Sequence, residues 1–224
     1  KYSVRTMRRV TMRQIVYTSL RCIMRHIDEL IRDIRDGTFD AQLTSLYGGD
    51  FFEQRNRYLH LLFTFSKRVP ECTKVALISS PCKVDHLGGY EARQSDKAVT
   101  MAANVDCIGI AAKLPARNVL FRSLGFPMMN MNLDGFLRRR QEAHSPRAII
   151  RGIYSRFNYL GYNVGGMALF THSGITSGAG LSSSTSVSVL MAMAMNVLYN
   201  DSSISTDELY RITHWVENNC FMKS

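Results

Sequence analysis

The sequence predicts an α+β fold, and three observations carry that reading. Residues 7–67 set apolar side chains at helical spacing among charges. Residues 75–123 then break into short, partly β-branched runs bounded by Pro, Asp, Asn and Gly, after which helical spacing returns, interrupted by one more apolar run and a loop of glycines and hydroxyls. The length of 224 residues and the hydrophobic content of 46% allow one sizeable core, or a large domain with an appendage. The expected division is a helical N-terminal extension over residues 1–70 and a sheet-containing domain over residues 71–224.

Residues 7–36 place Val10, Ile15, Tyr17, Leu20, Ile23, Met24, Ile27, Leu30, Ile31 and Ile34 largely at helical spacing among charges, as one or two amphipathic helices that Gly37 can stop. After the Gly48-Gly49 break, residues 50–67 form a second helical stretch with Phe51, Tyr58, Leu61, Leu62 and Phe65 as its apolar members. Residues 75–80, 99–103, 107–112 and 119–123 read as strands of one sheet. Residues 133–142 and 146–160 read as helices, the second ended by Gly161, and residues 167–170 as a further strand. A buried helix is expected to start near Ser183. The last helix is introduced by Ser205 and Thr206, carries Asp207 and Glu208 in its first turn, where the helix dipole favours acids, and lines up Leu209, Ile212, Trp215 and Val216.

The formal charge is +10, and residues 1–70 carry 13 basic and 7 acidic side chains, so that third holds +6 of the excess. An anionic partner or a solvated helix face would each account for it. The arginines alternate with Asp28, Glu29, Asp33 and Asp36, which favours the face over a nucleic-acid patch. Arg138-Arg139-Arg140 lacks interleaved aromatics to stack bases and reads as a helix surface. Five cysteines, odd in number and without a CxxC pair, are expected to be reduced packing residues. The six histidines show no metal-ligand spacing; His86 and His172 read as polar loop residues. No run of 18 apolar residues and no signal-peptide pattern is present, so a cytoplasmic location is expected.

The chemistry concentrates in SGAGLSSSTS, Ser177 to Ser186. Gly178 and Gly180 let successive backbone N–H groups converge on one point, and the following helix adds its own free N–H groups and the positive end of its dipole. Such a point favours an anion. Ser182, Ser183, Ser184 and Thr185 add hydroxyls that can bond phosphate oxygens or help hold magnesium. A serine-rich N-cap is the plainer reading, but one serine suffices for a cap. The GxxxxGK[ST] loop is excluded because no Lys follows the glycines, and GxGxxG because its third glycine is missing.

GAGLSSS, preceded by a strand and followed by a small-residue helix, resembles the ATP phosphate-binding loop of the GHMP small-molecule kinases, the superfamily of galactokinase, homoserine kinase and mevalonate kinase. A second stretch, SPCKVDHLGGYEARQSDKAVTMAANVD from Ser80 to Asp106, is similar to that superfamily's first motif. The galactokinase-like sugar kinases are the branch it most resembles. The resemblance implies a mixed sheet with packed helices, the N-terminal domain fold of these kinases, whose architecture is shared with a ribosomal protein domain. It implies ATP and magnesium as cofactors and a sugar as substrate. Gly178, Ala179, Gly180, Leu181, Ser182, Ser183 and Ser184 would bind the ATP phosphates, with Lys83 near the transferring phosphoryl group. Asp85, Gly89, Tyr90 and Glu91 would meet the sugar. Ser184 and Glu217, the latter in an element resembling the family's magnesium-binding EN, would hold the metal.

Two departures qualify these expectations. Cys82-Lys83 stands where the family has Gly-Arg, which keeps a charge but loses the planar fork. Tyr90-Glu91-Ala92-Arg93 stands where the family reads sugar hydroxyls with HxDY. The family's catalytic Asp would fall beyond residue 224, so the chain is expected to be an N-terminal portion with little activity alone. Three functions stay open at this level: a sugar kinase, a degenerate relative that binds without turnover, and an RNA-binding protein favoured only by charge and fold analogy.

Overall fold

The computed structural model describes residues 24–49, 51–87, 99–133, 135, 139–174 and 183–222. Side chains of residues 82–104 and of Ser183 also lie outside the description. Strands β1 (Arg25–His26), β2 (Lys74–Leu87), β3 (Val99–Leu114), β4 (Asn118–Ser123), β5 (Met129–Asn132) and β6 (Gly166–Ser173) form one mixed sheet in the order β1-β2-β3-β6-β4-β5. Every neighbouring pair is antiparallel except β4 and β6, which run parallel from Val119 opposite Met167 to Ser123 opposite Thr171.

Strict alternation along these strands sends side chains to two faces, and each face is covered by its own helices. Val75, Leu77, Ile108, Ile110, Ala112, Ala168 and Phe170 pack under α1 (Ile27–Arg35), α2 (Asp40–Tyr47) and α3 (Phe51–Arg68). Helix α1 buries Ile27, Leu30, Ile31 and Ile34, and α3 buries Tyr58, Leu61, Leu62 and Phe65, each at i, i+3, i+4, i+7 spacing. The helices of residues 27–68 therefore share a core with the sheet. Ala76, Ile78, Cys107, Ala111, Val119, Phe121, Met167 and Leu169 pack under α4 (Pro146–Tyr159), α5 (Ser183–Tyr199) and α6 (Thr206–Val216). Helix α5 carries no charged side chain, and Leu190 to Met195 are all buried. Such a helix belongs between the sheet and other helices. Gly152 of α4 faces α6, where a Cβ would stand 2.7 Å from Val216 Cγ1; only a missing side chain permits that approach.

Several expectations are corrected here. Arg25 and His26 are not helical but pair with Val75 and Lys74, and residues 7–23 of the expected helical stretch lie outside the described residues. The two strands expected at 99–103 and 107–112 are one strand, because Asp106 finds partners in the helix layer and need not end the ladder. Pro81 likewise sits inside β2, opposite Asp106 and at a register shift. Among the described part of residues 133–142 there is only a 3-10 turn, Arg140–Glu142, tied to α4 by the buried Arg151 guanidinium, which donates to Glu142 (2.5 Å) and to the Gly135 carbonyl (3.2 Å). Arg139 and Arg140 thus lie on an exposed turn rather than a helix. Helix α2 and strand β5 are additions to the sequence reading. The final helix begins as expected, with Ser205 accepting from the Glu208 N–H, and runs into a π-turn, Glu217–Phe221. Cys72, Cys107 and Cys220 are buried free thiols, and burial pushes the Cys107 pKa up to about 12.

Candidate functional site

The rim at the C-terminal ends of β4 and β6 carries the site. From it β4 turns through residues 124–128 into β5, and β6 leads through Gly174 toward the glycine and serine segment. A cleft of about 630 Å³ opens there, within the range of small-molecule sites. One wall is apolar, with Phe121, Pro127, Met128, Met129, Val187 and Phe221. Polar groups of Ser123, Asn130, His144, Arg147, Ser173 and Ser184 complete it. Ser173 ends β6 and Ser184 lies in the first turn of α5, so the two described flanks of the SGAGLSSS segment open on one cleft. The 17-residue α5 presents its N-terminus, the positive end of its dipole, on that side.

The sequence-predicted residues fall into three sets. Ser184 lines the cleft, and Ser183 opens α5. Glu217 is buried, not solvated as a lone helical Glu would be, and begins the π-turn whose last residue, Phe221, lines the cleft. Lys83 and Asp85 stand in β2 opposite Ala102 and Thr100, with their side chains outside the description. Gly89, Tyr90 and Glu91, and Gly178, Ala179, Gly180, Leu181 and Ser182, lie outside the described residues.

Sequence reasoning missed a polar cluster at the same end of the sheet, on the α1–α3 face. The Asp106 carboxylate pairs with the Arg57 guanidinium and accepts from the hydroxyls of Tyr47 and Ser79, each at 2.5 Å. Tyr58 shares a 2.9 Å hydrogen bond with Tyr47. Burial, then the neighbouring Tyr58 and Asp106, raise the Tyr47 pKa, so its proton stays in place as a donor. His172 is a strand residue of β6, not a loop residue, with its ring edge-on to His60 at 6.0 Å. Its pKa is lowered by burial, then by Arg57 and His60. An Asp directly before the apolar run Cys107 to Ala112 was the available signal; its partners, 27 to 59 residues away, were not.

Comparison with known proteins agrees with this fold. Residues 148–224, from α4 through the π-turn, match the family described as GHMP kinases N terminal domain. The galactokinase of Clostridium tetani is 28% identical over 142 residues, covering 62% of this chain and 35% of that protein. The galactokinase of Clostridium beijerinckii is 27% identical over 125 residues, covering 54% and 32%. This chain therefore spans about a third of the length of these relatives. In fold it is similar to Lactococcus lactis galactokinase complexed with galactose, with TM-score 0.65, 19% identity and coverage of 72% of this chain and 42% of that one. Methanococcus jannaschii mevalonate kinase follows at TM-score 0.56, 18% identity and coverage of 63% and 45%.

Proposed function

We propose that this chain, a galactokinase-like member of the GHMP kinases, is the nucleotide-binding portion of an ATP-dependent sugar kinase that transfers the γ-phosphoryl group to a sugar hydroxyl. The observation that carries this reading is the opening of Ser173, four residues before SGAGLSSS, and of Ser184, its last residue, on one cleft of nucleotide-compatible size. The apolar wall of Phe121, Met129, Val187 and Phe221 suits a purine ring, which an aqueous groove would hold poorly. The N-terminus of α5 suits the phosphates. Phosphoryl transfer asks the protein mainly to position groups and neutralise charge, and the residues assigned here do that. Gly178 to Ser184 cradle phosphate oxygens, Lys83 offsets their charge, and Asp85 with Glu91 accept from sugar hydroxyls.

The donors at hand also fit magnesium, which takes oxygen ligands and is usually held by one or two carboxylates together with substrate phosphates. Ser184 and Glu217 are of that kind, and a site of this type needs no closed cage of protein ligands. When bound, the ion supplies charge neutralisation across the phosphate oxygens.

A second reading, a relative that binds nucleotide without turnover, is favoured by Tyr90-Glu91-Ala92-Arg93 in place of HxDY. Titration of the chain with a fluorescent ATP analogue tests the shared premise: saturable binding, weakened about tenfold in Ser184→Ala, is expected. No binding would end both readings. A turnover assay of the gene's full-length product over a sugar panel then separates them, since binding without any sugar phosphate leaves only the second.

A further inference from the structure

Asp106 stands where the two sequence motifs meet. In β3 it lies opposite Pro81 of β2, two residues before Lys83. Its backbone carbonyl accepts from the Gly174 N–H at 2.9 Å, and Gly174 directly precedes the segment that leads to Ser184. Its carboxylate is held by Arg57 of α3, by Tyr47 at the end of α2 and by Ser79 of β2. Arg57 is itself fixed by a 2.5 Å bond to Gln54 and reaches the Asp106 carbonyl at 3.4 Å. Gly174 fits closely under it: a Cβ there would stand 3.1 Å from Arg57 Nη1 and 3.4 Å from the Asp106 carbonyl oxygen.

A buried ion pair is weak evidence for stability, because desolvation cancels much of its attraction and an apolar pair can hold two layers as well. Directed bonds do what an apolar pair cannot: they fix one backbone carbonyl, and with it one N–H, in place. Asp106 is 3% exposed and the Arg57 side chain 11%, so these bonds are little weakened by water.

We propose that Asp106, clamped by Arg57, is a positioning residue for the phosphate-binding segment, acting through the Gly174 N–H and reporting the state of the α1–α3 layer to the nucleotide site. The proposal rests on the reading of that segment given above. It is tested in this chain with Asp106→Asn, which keeps the shape and removes the charge, and with Tyr47→Phe and Ser79→Ala, which each remove one donor. Tyr154→Phe is the comparator, because it deletes a buried 2.7 Å bond to the Gly165 carbonyl, at the opposite end of β6.

Two quantities are measured well below every variant's unfolding midpoint: affinity for a fluorescent ATP analogue, and hydrogen exchange of peptides covering residues 171–186. Asp106→Asn is expected to weaken the analogue about tenfold, which is 1.4 kcal/mol, and to speed exchange in those peptides. Tyr47→Phe and Ser79→Ala move both the same way by less, and carry the test if Asp106→Asn does not fold. Tyr154→Phe lowers the midpoint and moves neither. Unchanged exchange and affinity in the Asp106 and Tyr47 variants, or equal changes in Tyr154→Phe, overturn the proposal. If the unaltered chain binds no analogue, the nucleotide reading fails instead, and the exchange comparison alone decides the positioning role.

Discussion

The two faces of this sheet are built from the same strands and finished in opposite ways. Under α1–α3 the apolar core is closed at the Gly174 end of the sheet by charge and hydroxyls: Arg57, Asp106, Tyr47, Tyr58 and Ser79. Under α4–α6 that end is left open as a cleft, walled by Phe121, Met129, Val187 and Phe221. The contrast teaches a division of labour that alternation makes cheap. Side chains one residue apart in β6, His172 and Ser173, serve the bonded face and the cleft face respectively.

The largest test of that division is Phe170→Ala on the α1–α3 face. Phe170 is fully buried and packs edge-on to Phe65 at 5.0 Å, so its loss should cost about 3–5 kcal/mol in chemical denaturation. Phe170→Ala leaves the Asp106 carbonyl bonded to the Gly174 N–H, so the affinity of the remaining folded fraction for an ATP analogue should fall less than in Asp106→Asn, and an equal or larger fall would mean that apolar packing, not the Asp106 bonds, links the two faces. Gly152→Ala strikes the other face. Its new methyl meets Val216 and Cys220, and about 1–3 kcal/mol of overpacking outweighs the roughly 1 kcal/mol of helix propensity gained. Because that strain bears on the π-turn ending at Phe221, calorimetric binding should weaken together with stability.

Ser184→Ala sharpens the comparison at lower cost. Melting should shift by no more than about 0.5 kcal/mol, while analogue affinity drops about tenfold through one lost hydrogen bond to a charged phosphate. The smallest effect is pH dependence from His172. Its folded pKa lies below the ordinary histidine value, so the unfolded chain binds more protons in the interval between the two. Stability is therefore retained above about pH 6.5 and lost as pH falls through that interval toward the lower folded pKa. Denaturation midpoints of His172→Gln followed over pH 5 to 7 should show a flatter slope than the parent, about these values.

The sequence told most where a local rule and the tertiary context agree. The Ser205 cap with Asp207 and Glu208 names the start of α6, and Ile27, Leu30, Ile31 and Ile34 name the buried face of α1. Strand β5, Met129-Asn130-Met131-Asn132, has no β-branched residue, and only its pairing with β4 makes it a strand. Helix α2 buries Leu43 alone and sits between Gly37 and Gly48, so its eight residues look like a loop. At the candidate site, Ser184 was legible because it closes a stretch of concentrated hydroxyls and glycines, whose chemistry is local. The Arg57–Asp106 pair was not, because 49 residues separate its members. The cleft wall is equally nonlocal, drawn from Phe121, Met129, Val187 and Phe221 on four different stretches.

The parallel pairing of β4 and β6 fixes more than a strand order. Their ladder runs without interruption from Val119 to Ser123, and the Leu124 N–H bonds the Thr171 carbonyl one step beyond it. The two strands therefore exit shoulder to shoulder in the same direction, so the turn that would grip a base and the segment that would grip its phosphates share a hinge line. Neither exit can slide along the other without unzipping hydrogen bonds in the middle of the sheet, which makes the spacing of the two exits a length set by the backbone.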